Sequence, residues 1–129
     1  MGMYTELILG AELKKDTPEH VIGVLKYILG ETEEKPDNFP LSEGRCEWLL
    51  RGTSCSFGVS TPVNKLIFDD VIGYWIISSR SNIKNYGGEI EEFLNWLKPY
   101  ISGGSGARDF YAITIYEEAE SPTIHYLID

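Results

Sequence analysis

The chain has 129 residues, 43% of them hydrophobic and 24% charged, with a formal net charge of −9. That length and composition predict one globular domain with a core large enough to need no disulfide or metal. The negative charge repels phosphate backbones, which argues against direct nucleic-acid binding.

No run approaches the ~18 apolar residues that span a bilayer. The N-terminus has no basic n-region or long apolar stretch, so the sequence predicts no signal peptide and a cytoplasmic protein. Met1-Gly2 is no myristoylation signal, because Glu6 stands where that motif needs Ser or Thr. Cys46 and Cys55 have neither CxxC spacing nor the number of a secreted scaffold, and read as reduced packing residues.

Tyr4 to Leu13 alternates and predicts a strand. Thr17-Pro18 predicts a helix start, with Thr17 as N-cap and Pro18 in the first helical position. Val21, Val24, Leu25, Ile28 and Leu29 form the apolar face of that helix, and Gly30 is its stop. Glu31 to Glu43, with Pro36 and Pro40, reads as a loop. Arg45–Leu50 and Ser54–Val59 read as a hairpin turning at Arg51-Gly52-Thr53. Lys65–Phe68 reads as a short strand, Asp69-Asp70 as a turn and Ile72–Ser81 as the longest strand. A second helix is expected over Glu89–Tyr100, with Glu89, Glu91 and Glu92 in the first turn, where carboxylates suit the dipole. Its buried face is Ile90, Phe93, Leu94 and Leu97. Phe110–Tyr116 and Thr123–Ile128 close the chain as a hairpin.

The expected fold is α+β: a single antiparallel sheet of about six to seven strands with two helices on one face. The order suggests an internal β-α-β-β duplication. Several strands are apolar on both faces: Ile72, Tyr74 and Ile76 oppose Trp75 and Ile77, and Tyr111, Ile113 and Ile115 oppose Phe110, Ala112 and Tyr116. A second apolar face invites a cover, and a homodimer is one expectation.

Catalytic and metal signatures are missing from the sequence. His20 and His125 have no metal-ligand spacing, no GxSxG elbow is present, and Gly103-Gly104-Ser105-Gly106 follows a helix, the wrong end for a phosphate cradle. No cofactor is expected. The most suggestive polar group is basic: Arg80, Lys84, Lys14, Lys15, Arg51 and Arg108, with Asn82, Asn85 and Tyr86 as neighbours of Lys84. Such cations, on an acidic background, suit a carboxylate or phosphate.

Two functions from different classes follow. One is a non-catalytic interaction protein that binds a protein partner through an acidic or apolar surface. The other is a small-molecule-binding domain, with ligand-binding residues Trp48, Tyr74, Trp75, Tyr111, Arg80, Lys84 and Arg108 supplying an aromatic pocket and a basic anchor.

The runs Ser79-Arg80-Ser81-Asn82-Ile83-Lys84-Asn85-Tyr86, Phe93-Leu94-Asn95-Trp96-Leu97-Lys98-Pro99-Tyr100 and Pro122-Thr123-Ile124-His125-Tyr126 resemble a small group of uncharacterised bacterial and phage proteins. The resemblance covers the whole chain and implies no activity. In topology alone, the duplicated β-α-β-β order resembles the gyrase-inhibitor-like small-molecule-binding domains, and topology does not set function.

Overall fold

A computed structural model of the chain describes residues 4–53, 63–102 and 109–127. Among them are five strands: β1 (Thr5–Glu12), β2 (Lys65–Asp69), β3 (Tyr74–Ile83), β4 (Phe110–Tyr116) and β5 (Thr123–Tyr126). There are two helices, α1 (Glu19–Leu29) and α2 (Glu89–Leu97), and two short 3-10 turns, Arg45–Trp48 after α1 and Lys98–Tyr100 directly after α2. The strands form one open antiparallel sheet in the order β2-β3-β1-β4-β5.

β1 is the axis of this sheet. Leu7 pairs with Ser81 on one side and Thr114 on the other, and Leu9 with Ser79 and Ala112. All six are buried, so this row set is the inner face. Above it lie Val21, Val24, Leu25 and Ile28 of α1 and Ile90, Phe93, Leu94 and Leu97 of α2, in one continuous core. Both helical periodicities were therefore correctly legible.

The turn Arg45–Trp48 ties the helices together over that face. The Cys46 thiol faces the Glu89 carbonyl of α2 at 3.8 Å, and the Tyr27 hydroxyl of α1 donates to Glu47 at 2.8 Å. Beneath them, the buried Ser81 hydroxyl donates to the Leu49 carbonyl at 2.9 Å. That bond satisfies a polar group that would otherwise be costly in the core.

Five expectations are corrected. The stretch Arg45–Leu50 is helical at its start, not a strand. Cys46, Leu49 and Leu50 are its buried set and follow i, i+3, i+4 spacing. Glu47 also accepts the Gly44 N–H at 2.9 Å, closing the tight turn. The other half of the expected hairpin, Ser54–Val59, lies outside the described residues, so the sheet has five described strands, not six or seven.

Thr17 does not cap α1. Its hydroxyl donates backwards to the Lys14 carbonyl at 2.6 Å, and α1 begins from Pro18, whose carbonyl accepts Val21 N–H at 3.0 Å. The long strand runs Tyr74–Ile83, because Asp69 holds Val71 and Ile72 in a turn. The last strand stops at Tyr126.

Gly30 ends α1 as expected, with φ +82. Arg51 completes that end by donating to the Tyr27 carbonyl at 2.5 Å and the Ile28 carbonyl at 3.3 Å. A Cβ on Gly30 would lie 3.2 Å from the Arg51 side chain. Gly30→Ala is therefore expected to lower unfolding stability by about 1–2 kcal/mol in urea titration, combining left-handed strain with a displaced Arg51.

Candidate functional site

Of the seven residues singled out from the sequence, the six that are described do not share one pocket. Tyr74 and Trp75 are consecutive on β3 and point to opposite faces. Trp75 lies on the inner side, edge-on to Phe68 at 5.3 Å and under the Lys26 ammonium of α1 at 5.1 Å. Tyr74 is covered from outside by Lys15 at 5.1 Å. Tyr111 is buried where the β4–β5 register shifts, its ring 6.5 Å from that of His125. Arg80 sits mid-sheet opposite Ile8, on the outer face. Arg108 lies outside the described residues.

The basic group divides for a topological reason. β1 and β3 are antiparallel, so Lys14 and Lys15 at the end of β1 lie at the start of β3. Lys84, just past the end of β3, lies at the opposite end of the sheet. Each end has a matching contact: Lys15 over Tyr74 at 5.1 Å, and Lys84 over Tyr4 at 5.7 Å.

Trp48 and Lys84 do converge. They line a cavity of about 330 Å³ with Tyr4, Arg45, Arg51 and Asn82. Sequence reasoning flagged Arg51 only as a turn cation and missed Tyr4 and Arg45 as lining. A second cavity, of about 370 Å³, is lined by Thr5, Thr114, Tyr116 and Thr123 with Asn85 and Glu91. Asn85 is occupied there: its Oδ1 accepts the Ile90 N–H at 2.8 Å and caps α2, while its Nδ2 donates to Glu91 at 2.9 Å.

The other candidate surface is apolar. Between β2 and β3, the Asp69 carboxylate accepts the N–H groups of Val71 at 3.0 Å and Ile72 at 3.3 Å, and the Asp69 carbonyl accepts that of Gly73 at 2.7 Å. Gly73, with φ +79, allows the reversal. The turn so closed holds Val71 outward at 90% exposure, beside Ile67 at 54% and Phe68 at 47%. Sequence reading placed a turn at Asp69-Asp70 but assigned Ile72 to the strand, and so missed this tip.

The outer sheet face is less open than its sequence suggests. Ile8, Ile76, Ile113 and Ile115 are half-buried, and Glu6 is fully buried. Ile124 on the edge strand is exposed.

Chemistry at the histidines and Cys46 is structural. His20 Nε2 donates to the Asp37 carbonyl at 2.9 Å, pinning the acidic loop to the start of α1. His125 Nε2 lies 2.9 Å from the Thr114 hydroxyl. Burial holds the His125 pKa below the ordinary imidazole value, Lys98 adds to the effect, and Glu91 opposes it. Among the described residues no group of three or more His, Cys, Asp or Glu could hold a metal, and no helix is long and apolar enough to cross a membrane. No known family model, curated protein or solved structure matches the chain.

The Cys46 thiol is pushed up to about 12, first by burial and then by the Glu92 and Glu89 carboxylates. The neutral thiol is thus the native form. In a Cys55→Ser background, Cys46 is expected to resist a thiol-reactive disulfide reagent at pH 8 until urea unfolds the chain. Because an acid with a raised folded pKa stabilises only while the unfolded thiol is also neutral, stability is expected to fall as pH rises past about 8.5–9. His125 has the opposite sign. Its depressed pKa makes the folded state weaker as pH falls below about 6.5, and its titration by NMR is expected to lie below that value.

Proposed function

We propose that this chain is a non-catalytic interaction protein that docks a protein partner through the apolar tip between β2 and β3. The observation that carries the reading is the outward Val71, held by a turn that the Asp69 carboxylate closes. Burying Val71 and Ile72 against a partner would contribute roughly 1.5–3 kcal/mol each, and pre-organisation lowers the ordering cost of binding.

Charge selects the kind of partner. Asp70 is exposed at the tip, and the chain as a whole carries −9. Lys15 reaches the root of the turn, 3.9 Å from where a Cβ on Gly73 would stand, but it lies over the Tyr74 ring. The complement is an apolar cleft rimmed by Lys or Arg. Two copies of a −9 chain repel each other at long range, which favours a heterologous partner over a homodimer.

The convergence of Trp48 and Lys84 on one cavity supports a second reading, a small-molecule-binding domain with an aromatic wall and a basic anchor. The paired contacts of Lys15 with Tyr74 and Lys84 with Tyr4 support relatedness of the two strand–helix halves that begin at β1 and β3.

A photo-crosslinking residue placed at position 71, in cells, tests the docking tip. A discrete adduct with one foreign protein is expected, lost when Ile67→Asp and Ile72→Asp are added and kept when the distant Glu31→Lys is added. An adduct at twice the chain mass would assign the tip to a second copy, and an absence of adducts would remove the reading.

A further inference from the structure

The 330 Å³ cavity gathers three of the 11 Lys and Arg residues of an acidic chain: Arg45, Arg51 and Lys84. Among the described residues, no carboxylate lines it. Three chain segments supply it. Tyr4 precedes β1, Asn82, Ile83 and Lys84 end β3, and the 3-10 turn with its exit supplies Arg45, Trp48, Arg51 and Gly52.

Each cation is positioned without being fully neutralised. Arg51 donates to the carbonyls of Tyr27 and Ile28 and stacks over the Tyr27 ring at 5.4 Å, contacts that fix the guanidinium and leave its charge. Arg45 lies over the Tyr86 ring at 5.2 Å, with only a loose 3.6 Å pairing to Glu89. Lys84 lies over the Tyr4 ring and forms no ion pair among the described residues. Like charges gathered this way repel, and an anion between them relieves that repulsion.

Trp48 supplies the second half of the site. The buried residues of its segment are Cys46, Leu49 and Leu50, which leaves the indole pointing outward at 51% exposure. It makes no ring contact or side-chain hydrogen bond among the described residues. A large unstacked indole beside three cations fits a planar ring carrying a negative group.

We propose that this cavity binds a mononucleotide, its base against Trp48 and its phosphate among Lys84, Arg45 and Arg51, a proposal that rests on the small-molecule reading. Size and charge select the class. About 330 Å³ lies at the small end of ligand pockets. A nucleic-acid strand would continue past the three cations onto the surface of a −9 chain and be repelled, whereas a single phosphate stays within the basic patch.

The test uses the full chain and isothermal titration at low salt, with AMP, GMP and UMP, then adenosine, then inorganic phosphate. Saturable 1:1 binding of at least one mononucleotide is expected, with Lys84→Gln and Trp48→Ala each weakening it tenfold or more and raised salt weakening it further. Adenosine and inorganic phosphate alone are each expected to bind at least tenfold more weakly. Should phosphate alone match the mononucleotides, the cavity is a simple anion site and the stacking half is overturned. If adenosine matches AMP, the phosphate half is overturned. If none of these probes binds up to about 10 mM, the small-molecule reading fails with the proposal. Urea midpoints report whether each variant folds. Should Trp48→Ala fail to fold, protection of Lys84 from amine acetylation by AMP in the wild-type chain, mapped by mass spectrometry, decides: protection supports the site, and unchanged acetylation overturns it.

Discussion

Everything in this structure depends on burying the inner face of β1. Its residues Leu7 and Leu9, with Leu13 just beyond, are almost wholly excluded from water, and they lie beneath both helices. Because β1 is flanked by β3 and β4, that row extends sideways through Ser79, Ser81, Ala112 and Thr114. The small side chains on the flanking strands leave space for the large ones of the helices, Phe93 above all. A central strand so placed has no free edge, which leaves only the short β2 and β5 at the margins.

The same packing sets where surface chemistry can occur. Helices and the Arg45–Trp48 turn cover the inner face, so exposed features are pushed to the ends of strands. One end of β3 carries the β2–β3 tip and the other carries Lys84. Arg51 links core and surface: the guanidinium that finishes α1 also faces the basic cavity. A residue with a structural duty is a stable place from which to present charge, since its position is already determined by the fold.

Much of this was legible in the sequence, and the failures have physical causes. The faces of α1 and α2 were readable because 3.6-residue periodicity is local and both helices keep it. Gly30 was readable because a left-handed stop favours glycine. Arg45–Leu50 was misread because a short apolar run is too brief to separate strand from helix, and only its buried set shows the i, i+3, i+4 spacing. Thr17 was misread because a hydroxyl can either accept from the free N–H groups of the helix ahead or donate to a carbonyl behind, and here it donates to Lys14. At the cavity, Trp48 and Lys84 were singled out; Arg45 lies one helical turn before Trp48 in the same segment, a spacing hidden while that segment was read as a strand, and Tyr4 comes from a distant segment that only sheet topology brings close. The proposed aromatic set could not assemble, since adjacent strand residues such as Tyr74 and Trp75 must face opposite ways. The tip was missed because Ile72 looks like the start of a strand unless the reach of the Asp69 carboxylate to its N–H is weighed.

The account of the tip requires that its apolar residues be held in one geometry, and backbone ¹⁵N relaxation measures that directly. If Asp69 closes the turn as described, the amides of Val71, Ile72 and Gly73 will show order parameters near those of β3, about 0.85. Values below about 0.6 at these amides would mean a loose loop that exposes apolar side chains by default, and would contradict a built docking surface.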